Sequence, residues 1–126
     1  MTFRTTGIVM LACIGFSASA AWADCEGSNG RGWASGKGNG AFEMAAKDKT
    51  CLIRFPAFGS GEAPRIPATE VKLTTAPKSG KVAVSAKGMV YTPNPGFTGK
   101  DRFCTRNTAK QVKGQTLSGC VTVTVK

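Results

Sequence analysis

From residue 51 onward, apolar and polar residues alternate in short bursts separated by turn residues. The run KVAVS (81–85) alternates strictly, and the closing run puts Val121, Val123 and Val125 on one face with Thr122 and Thr124 on the other. A period of two marks half-buried antiparallel strands. The pattern predicts strands at 51–55 (stopped by Pro56), 71–75 (turning at Ala76 to Gly80), 81–85 (turning at Lys87-Gly88), 89–92, 101–106 and 117–125. Repeated short strands with turn signals between them predict an all-β sandwich. The only helix candidate is one turn within 42–49. Before it, DCEGSNGRGWASGKGNGA (24–41) carries Gly27, Gly30, Gly32, Gly36, Gly38 and Gly40. Glycine at that density disfavours a helix or a long strand, so the segment is predicted to be a flexible arm or an irregular loop. It lacks the strand and the G-K-[ST] ending of a phosphate-binding loop. Trp33 is expected to pack this arm onto the β domain; otherwise it stays exposed as a contact residue.

The first residues follow different rules. Arg4 precedes an apolar run from Ile8 to Phe16, and small residues lead to Ala21-Trp22-Ala23. A basic start, a short apolar core and an A-x-A site predict a secretory leader cleaved after Ala23. The apolar run is too short to span about 30 Å of hydrocarbon. A lipid-modified Cys13 fits poorly, because the apolar run continues past it. The expected layout is a leader at 1–23, a glycine-rich arm at 24–50 and a β-sandwich domain at 51–126, with no membrane span once the leader is removed.

One stretch has the density of a signature: VYTPNPGFTGKDRF (90–103). Pro93 and Pro95 fix φ and lack N–H groups, so the chain must leave its sheet there. Gly96 and Gly99 permit backbone conformations that other residues avoid. Phe97, the one large apolar residue of the loop, is expected to plug the end of the core. Asp101 is expected to accept N–H bonds from the same loop as an Asx-type brace. Tyr91 and Phe103 should lie in the core on either side. Together with G-K-V at 80–82 and V-T-V-T-V at 121–125, the stretch resembles bacterial Ig-like/cadherin-like repeats. The resemblance covers residues 71–126 and implies an antiparallel sandwich of about seven strands, usual in secreted or surface proteins. Calcium-binding relatives use clustered carboxylates. Here Asp24, Glu26, Glu43, Asp48, Glu62, Glu70 and Asp101 are scattered, so no metal site and no cofactor is expected.

Of five cysteines, Cys13 lies in the leader, leaving Cys25, Cys51, Cys104 and Cys120. An even number in an exported chain reads as two disulfides; no C-x-x-C pair and no histidine favours zinc. Parity selects Cys104–Cys120, since both point outward if Phe103 and Val121 point inward. Cys25–Cys51 then remains. The rival is Cys51–Cys104, resembling the inter-sheet bridge of antibody domains.

The chain has no histidine, which removes Ser-His-Asp and Cys-His machinery. Its carboxylates form no obvious glycosidase-like pair. No enzyme and no catalytic residue is expected. A net charge of +10 attracts polyanions. The outward positions of the 101–106 strand, Arg102 and Arg106, with Lys100 at its start and Lys110 and Lys113 in the following loop, form a candidate polyanion stripe. The expectation is a monomeric, non-enzymatic binding or structural module, periplasmic or extracellular. Its partners would be an anionic glycan, lipopolysaccharide or an envelope protein, and not a specific nucleic acid. The alternative is a secreted protease inhibitor acting through its loops.

Overall fold

The computed structural model describes residues 25–59 and 64–126; the expected leader and its cleavage site lie outside them. Among the described residues ten strands form: β1 Glu26–Ser28, β2 Gly38–Met44, β3 Cys51–Ile53, β4 Ala57–Phe58, β5 Ile66–Pro67, β6 Glu70–Thr75, β7 Gly80–Ser85, β8 Gly88–Pro93, β9 Gly99–Ala109 and β10 Val112–Val125. Short 3₁₀ turns cover Trp33–Ser35 and Ala46–Asp48. Every strand expected from alternation is present. The helical turn expected at 42–49 shrinks to Ala46–Asp48, because Phe42 and Met44 are drawn into β2 as inward residues.

Three sheets result, in the orders β1-β2-β10-β9-β6, β3-β8-β7 and β4-β5. All pairings are antiparallel except β2 with β10, which run parallel from Gly38 opposite Gly119 to Met44 opposite Val125. The two larger sheets contribute to one core. From the five-stranded sheet come Phe42, Met44, Phe103, Val121, Val123 and Val125; from the three-stranded sheet come Cys51, Ile53, Met89 and Tyr91. Tyr91 and Phe103 meet across it with ring planes 8° apart and centroids separated by 6.4 Å, within the range of an offset stack.

The N-terminal segment corrects the sequence expectation. Gly38–Met44 is a seven-residue strand rather than part of an irregular arm, with alternate positions buried. Its inward residues are Gly38, Gly40, Phe42 and Met44. The first two are small because the space above them is occupied. A Cβ on Gly38 would stand inside the Trp33 indole, and one on Gly40 would sit 3.2 Å from the Val121 side chain. Trp33 is buried, as expected, and its Nε1–H donates to the Asn29 carbonyl at 2.6 Å. Hydrogen bonding to β1 on one side and β10 on the other offsets the entropy that glycine loses in a strand.

Two disulfides form, Cys25–Cys51 and Cys104–Cys120. The second joins directly opposed residues of β9 and β10 on their outer face, where parity put them. The first ties the chain at the start of β1 to buried Cys51 in the other sheet.

Candidate functional site

Strand β9 has two faces of opposite character. Asp101, Phe103, Thr105, Asn107 and Ala109 are buried, while Lys100, Arg102 and Arg106 are exposed. Like-facing neighbours along a strand stand about 6.6–7 Å apart, so these cations form a line. Across the ladder on β10 they meet only neutral residues: Thr124 opposite Lys100, Thr122 opposite Arg102 and Ser118 opposite Arg106. On the other side, Lys72 of β6 lies directly opposite Arg106. Like charges placed opposite one another destabilise a sheet. None of these four cations forms an ion pair with a described residue. The nearest carboxylate along β6, Glu70, instead accepts a hydrogen bond from the Thr108 hydroxyl at 3.2 Å.

Charge is graded across this outer face. At the far edge Glu26 of β1 stands opposite Glu43 of β2, and Glu43 pairs with Lys126 at 2.8 Å. The ammonium's hydrogen bond and charge lower the Glu43 pKa, and Glu43 in turn raises that of Lys126. Glu26 and Glu43 thus lie on β1 and β2, while Lys72, Lys100, Arg102 and Arg106 on β6 and β9 have no ion-pair partner among the described residues. Of the sequence-derived stripe, Lys100, Arg102 and Arg106 share the outer face. Lys110 lies in the β9–β10 turn and Lys113 near the start of β10, both exposed and beyond the end of the line. Lys72 was missed. Its outward direction follows from alternation with Val71, which packs against the core, but its position beside Arg106 depends on β6 pairing with β9, which alternation does not reveal.

The Pro/Gly corner carries the chain from β8 to β9. Gly96 at φ 82 and Gly99 at φ 126 adopt the backbone expected of them. Pro93 is the last residue of β8, and Pro95 follows in the exposed turn that the Phe97 N–H closes by donating to the Asn94 carbonyl at 3.0 Å. Phe97 is a partial plug, half-buried against the edge of the core.

Asp101 requires a correction: its main partners are not in its own loop. Oδ1 accepts from the Lys78 N–H at 2.9 Å and from Arg102 N–H at 3.0 Å. Oδ2 accepts from the Ser79 N–H at 3.0 Å and from the Tyr91 hydroxyl at 2.7 Å. The carboxylate thus braces the β6–β7 turn and the core tyrosine. The register of β9 turns Asp101 inward with Phe103, beneath a turn that sequence distance alone does not bring near. Burial, and then the hydrogen bond and charge of Asp101, push the Tyr91 phenol pKa well above its ordinary value.

Among the described residues, no three His, Cys, Asp or Glu side chains come together where they could hold a metal. No helix among them is long and apolar enough to cross a membrane. The two disulfides indicate an oxidising compartment. No family model, curated protein or solved structure matches the chain.

Proposed function

We propose that this is an exported, non-enzymatic Ig-like module that binds anionic polymers of the cell envelope, acidic glycans or lipopolysaccharide, on the outer face of β9. The observation that carries the reading is the cation line itself. Lys100, Arg102 and Arg106 are exposed and without an ion pair to any described residue, and Lys72 is set opposite Arg106 where a carboxylate would have been the stabilising choice. A polyanion laid along the strand neutralises that repulsion. The arginine forks can hold phosphate, sulfate or carboxylate in bidentate fashion.

The strand order supports the Ig-like reading. β3-β8-β7 and β2-β10-β9-β6 follow the arrangement in which strands B, E and D form one sheet and G, F and C the other. In that scheme Cys51 lies on strand B and Cys104 on strand F, yet each pairs elsewhere. The Tyr91–Phe103 stack fills the space between the sheets that the antibody bridge would span. The export signal expected from the sequence at 1–23 and the two disulfides support a periplasmic or extracellular site of action.

The test is binding to immobilised lipopolysaccharide and to a sulfated glycan across a salt series. Affinity should fall steeply as the Debye length contracts from about 10 Å at 0.1 M to about 3 Å at 1 M. The Lys100→Ser/Arg102→Ser/Arg106→Ser variant should lose at least tenfold in affinity at low salt while melting like the wild type. Unchanged polymer binding by that variant overturns the reading.

A further inference from the structure

Beyond the cation line, the β9–β10 hairpin is irregular. Its register shifts between Val112, opposite Ala109, and Leu117, opposite Asn107. The intervening β10 residues, Lys113 to Thr116, therefore bulge out of the ladder, with Gly114 at φ 80. Bulges of this kind re-aim side chains and recur beside binding sites. This one forms a wall of an open cleft of about 600 Å³. The other described walls come from the turn that carries Arg31, from Ala57 to Gly59 and from Arg65.

The lining has a definite chemistry. Among the described residues of the lining the charged ones are both arginines, Arg31 and Arg65, exposed and without an ion pair to any described residue. Gln115 and Thr116 add an amide and a hydroxyl that can both donate and accept. Trp33 and Phe58, buried in the core at 6% and 4% exposure, supply an apolar floor. That floor is rigid, because the indole is held by the Asn29 carbonyl and packed against Gly38. An apolar base with a few converging polar groups and a volume between about 300 and 1,000 Å³ describes a small-ligand site. A lone inorganic anion would leave most of it empty. A sugar unit bearing one carboxylate or phosphate can engage each part of the lining: the oxyanion against the arginine forks, the hydroxyls against Gln115 and Thr116, the ring over the floor.

We propose that this cleft is a second binding site, which takes a single acidic sugar residue by its carboxylate or phosphate. The proposal rests on the polyanion reading only for the source of the ligand, an acidic residue at the end of a polymer lying along β9. Lys110 and Lys113, at the hairpin tip, then connect the two sites.

Amide and indole NMR on the full chain tests it, with trigalacturonate, glucose 6-phosphate and neutral maltotriose as probes. Trigalacturonate or glucose 6-phosphate should give saturable shifts at the Trp33 indole N–H and at Gly114. Which of the two binds tells a carboxylate source from a phosphate source. Maltotriose should give none. Arg31→Ser/Arg65→Ser should weaken the binding at least tenfold without lowering the melting temperature, since both side chains are exposed. The Lys100/Arg102/Arg106 triple serine variant should retain it. If neither anion shifts these signals at millimolar concentration, the proposal fails. It also fails if maltotriose shifts them equally, or if the double variant binds like the wild type. Because short probes read the cleft and long polymers read the β9 line, failure at one site is distinguishable from failure at the other.

Discussion

β2 and β10 lie side by side, parallel and in register over seven residue pairs, yet they are built by opposite means. β10 fills its inner face with Val121, Val123 and Val125, each nearly inaccessible. β2 presents Gly38 and Gly40 inward before Phe42 and Met44, and the missing volume comes from elsewhere in the chain: Trp33 over Gly38, Val121 over Gly40. Even the partners match, since Gly38 stands opposite Gly119, where a Cβ on either would collide with its surroundings. Both strands obey a period of two. In one the inward residue is the filler; in the other it is a space left for a filler. Burial is a property of the position, and hydropathy reports it only when the residue at the position does the filling.

Removing the filler tests this most severely. Trp33→Ala should cost about 3–5 kcal/mol, the range for truncating a buried aromatic residue. Gly38→Ala should be comparably damaging alone, because its methyl group would occupy the indole's place. In the Trp33→Ala background the same Gly38→Ala change should be nearly neutral. Denaturant melts of the four proteins give the coupling energy directly. Simple additivity would mean that the ring and the glycine do not share that volume.

The contrast also explains what the sequence could disclose. β3 and β6 through β10 are legible because Val, Thr, Ile and Met alternate with polar residues between Gly/Pro turns. The outward direction of Cys104 and Cys120, and so their pairing, follows from that same parity. β1 and β2 are illegible because glycine, weighed residue by residue, speaks against a strand. The partners of Asp101 were out of reach for another reason: Lys78 and Ser79 are 23 and 22 residues away, and only the register of β9 against the β6–β7 turn brings them together. The cation line was half legible. Lys100, Arg102 and Arg106 follow from one strand's parity, whereas Lys72 required a pairing between strands.

The disulfides sharpen the comparison at a somewhat smaller magnitude. They close 26 and 16 residues of chain, which by the chain-entropy relation corresponds to about 3.5 and about 3 kcal/mol. Near-equal global losses should have unequal local consequences. Cys104–Cys120 joins strands already paired from Leu117 to Val125, so Cys104→Ala/Cys120→Ala should open no segment before global unfolding. Cys25–Cys51 fastens the start of a three-residue edge strand, so Cys25→Ala/Cys51→Ala should release β1 amides first in hydrogen exchange. Early exchange along β9 and β10 in the Cys104/Cys120 variant would contradict this assignment.

The smallest effect separates the two regions by pH. Packing of an indole on glycine does not titrate, whereas the link between β8 and β9 includes a phenol. Tyr91, the chain's only tyrosine, is fully buried and donates to Asp101 Oδ2 at 2.7 Å. Burial first, and then Asp101, raise its pKa in the folded protein. The unfolded phenol titrates near its ordinary value of about 10. Below that pH both states hold the proton and the stabilisation is fully present. As pH rises above about 10 the unfolded state releases its proton first, and stability falls by up to about 1.4 kcal/mol per pH unit until the folded phenol also ionises. Tyr91→Phe should cost about 1.5–3 kcal/mol at neutral pH, the range for a hydrogen bond to a charged group, and should abolish this alkaline component. Subtracting the variant's pH–stability curve from that of the wild type isolates Tyr91 from the titrating lysines, and tyrosinate absorbance follows the same ionisation directly. Hydrogen exchange at alkaline pH should then show the β8–β9 region weakening in the wild type relative to Tyr91→Phe, with β2 amides beside Trp33 changing only as global stability changes. Parallel curves for the two proteins would mean that the phenol ionises as easily folded as unfolded, and that the Asp101 brace does not distinguish the C-terminal region from the glycine-built one.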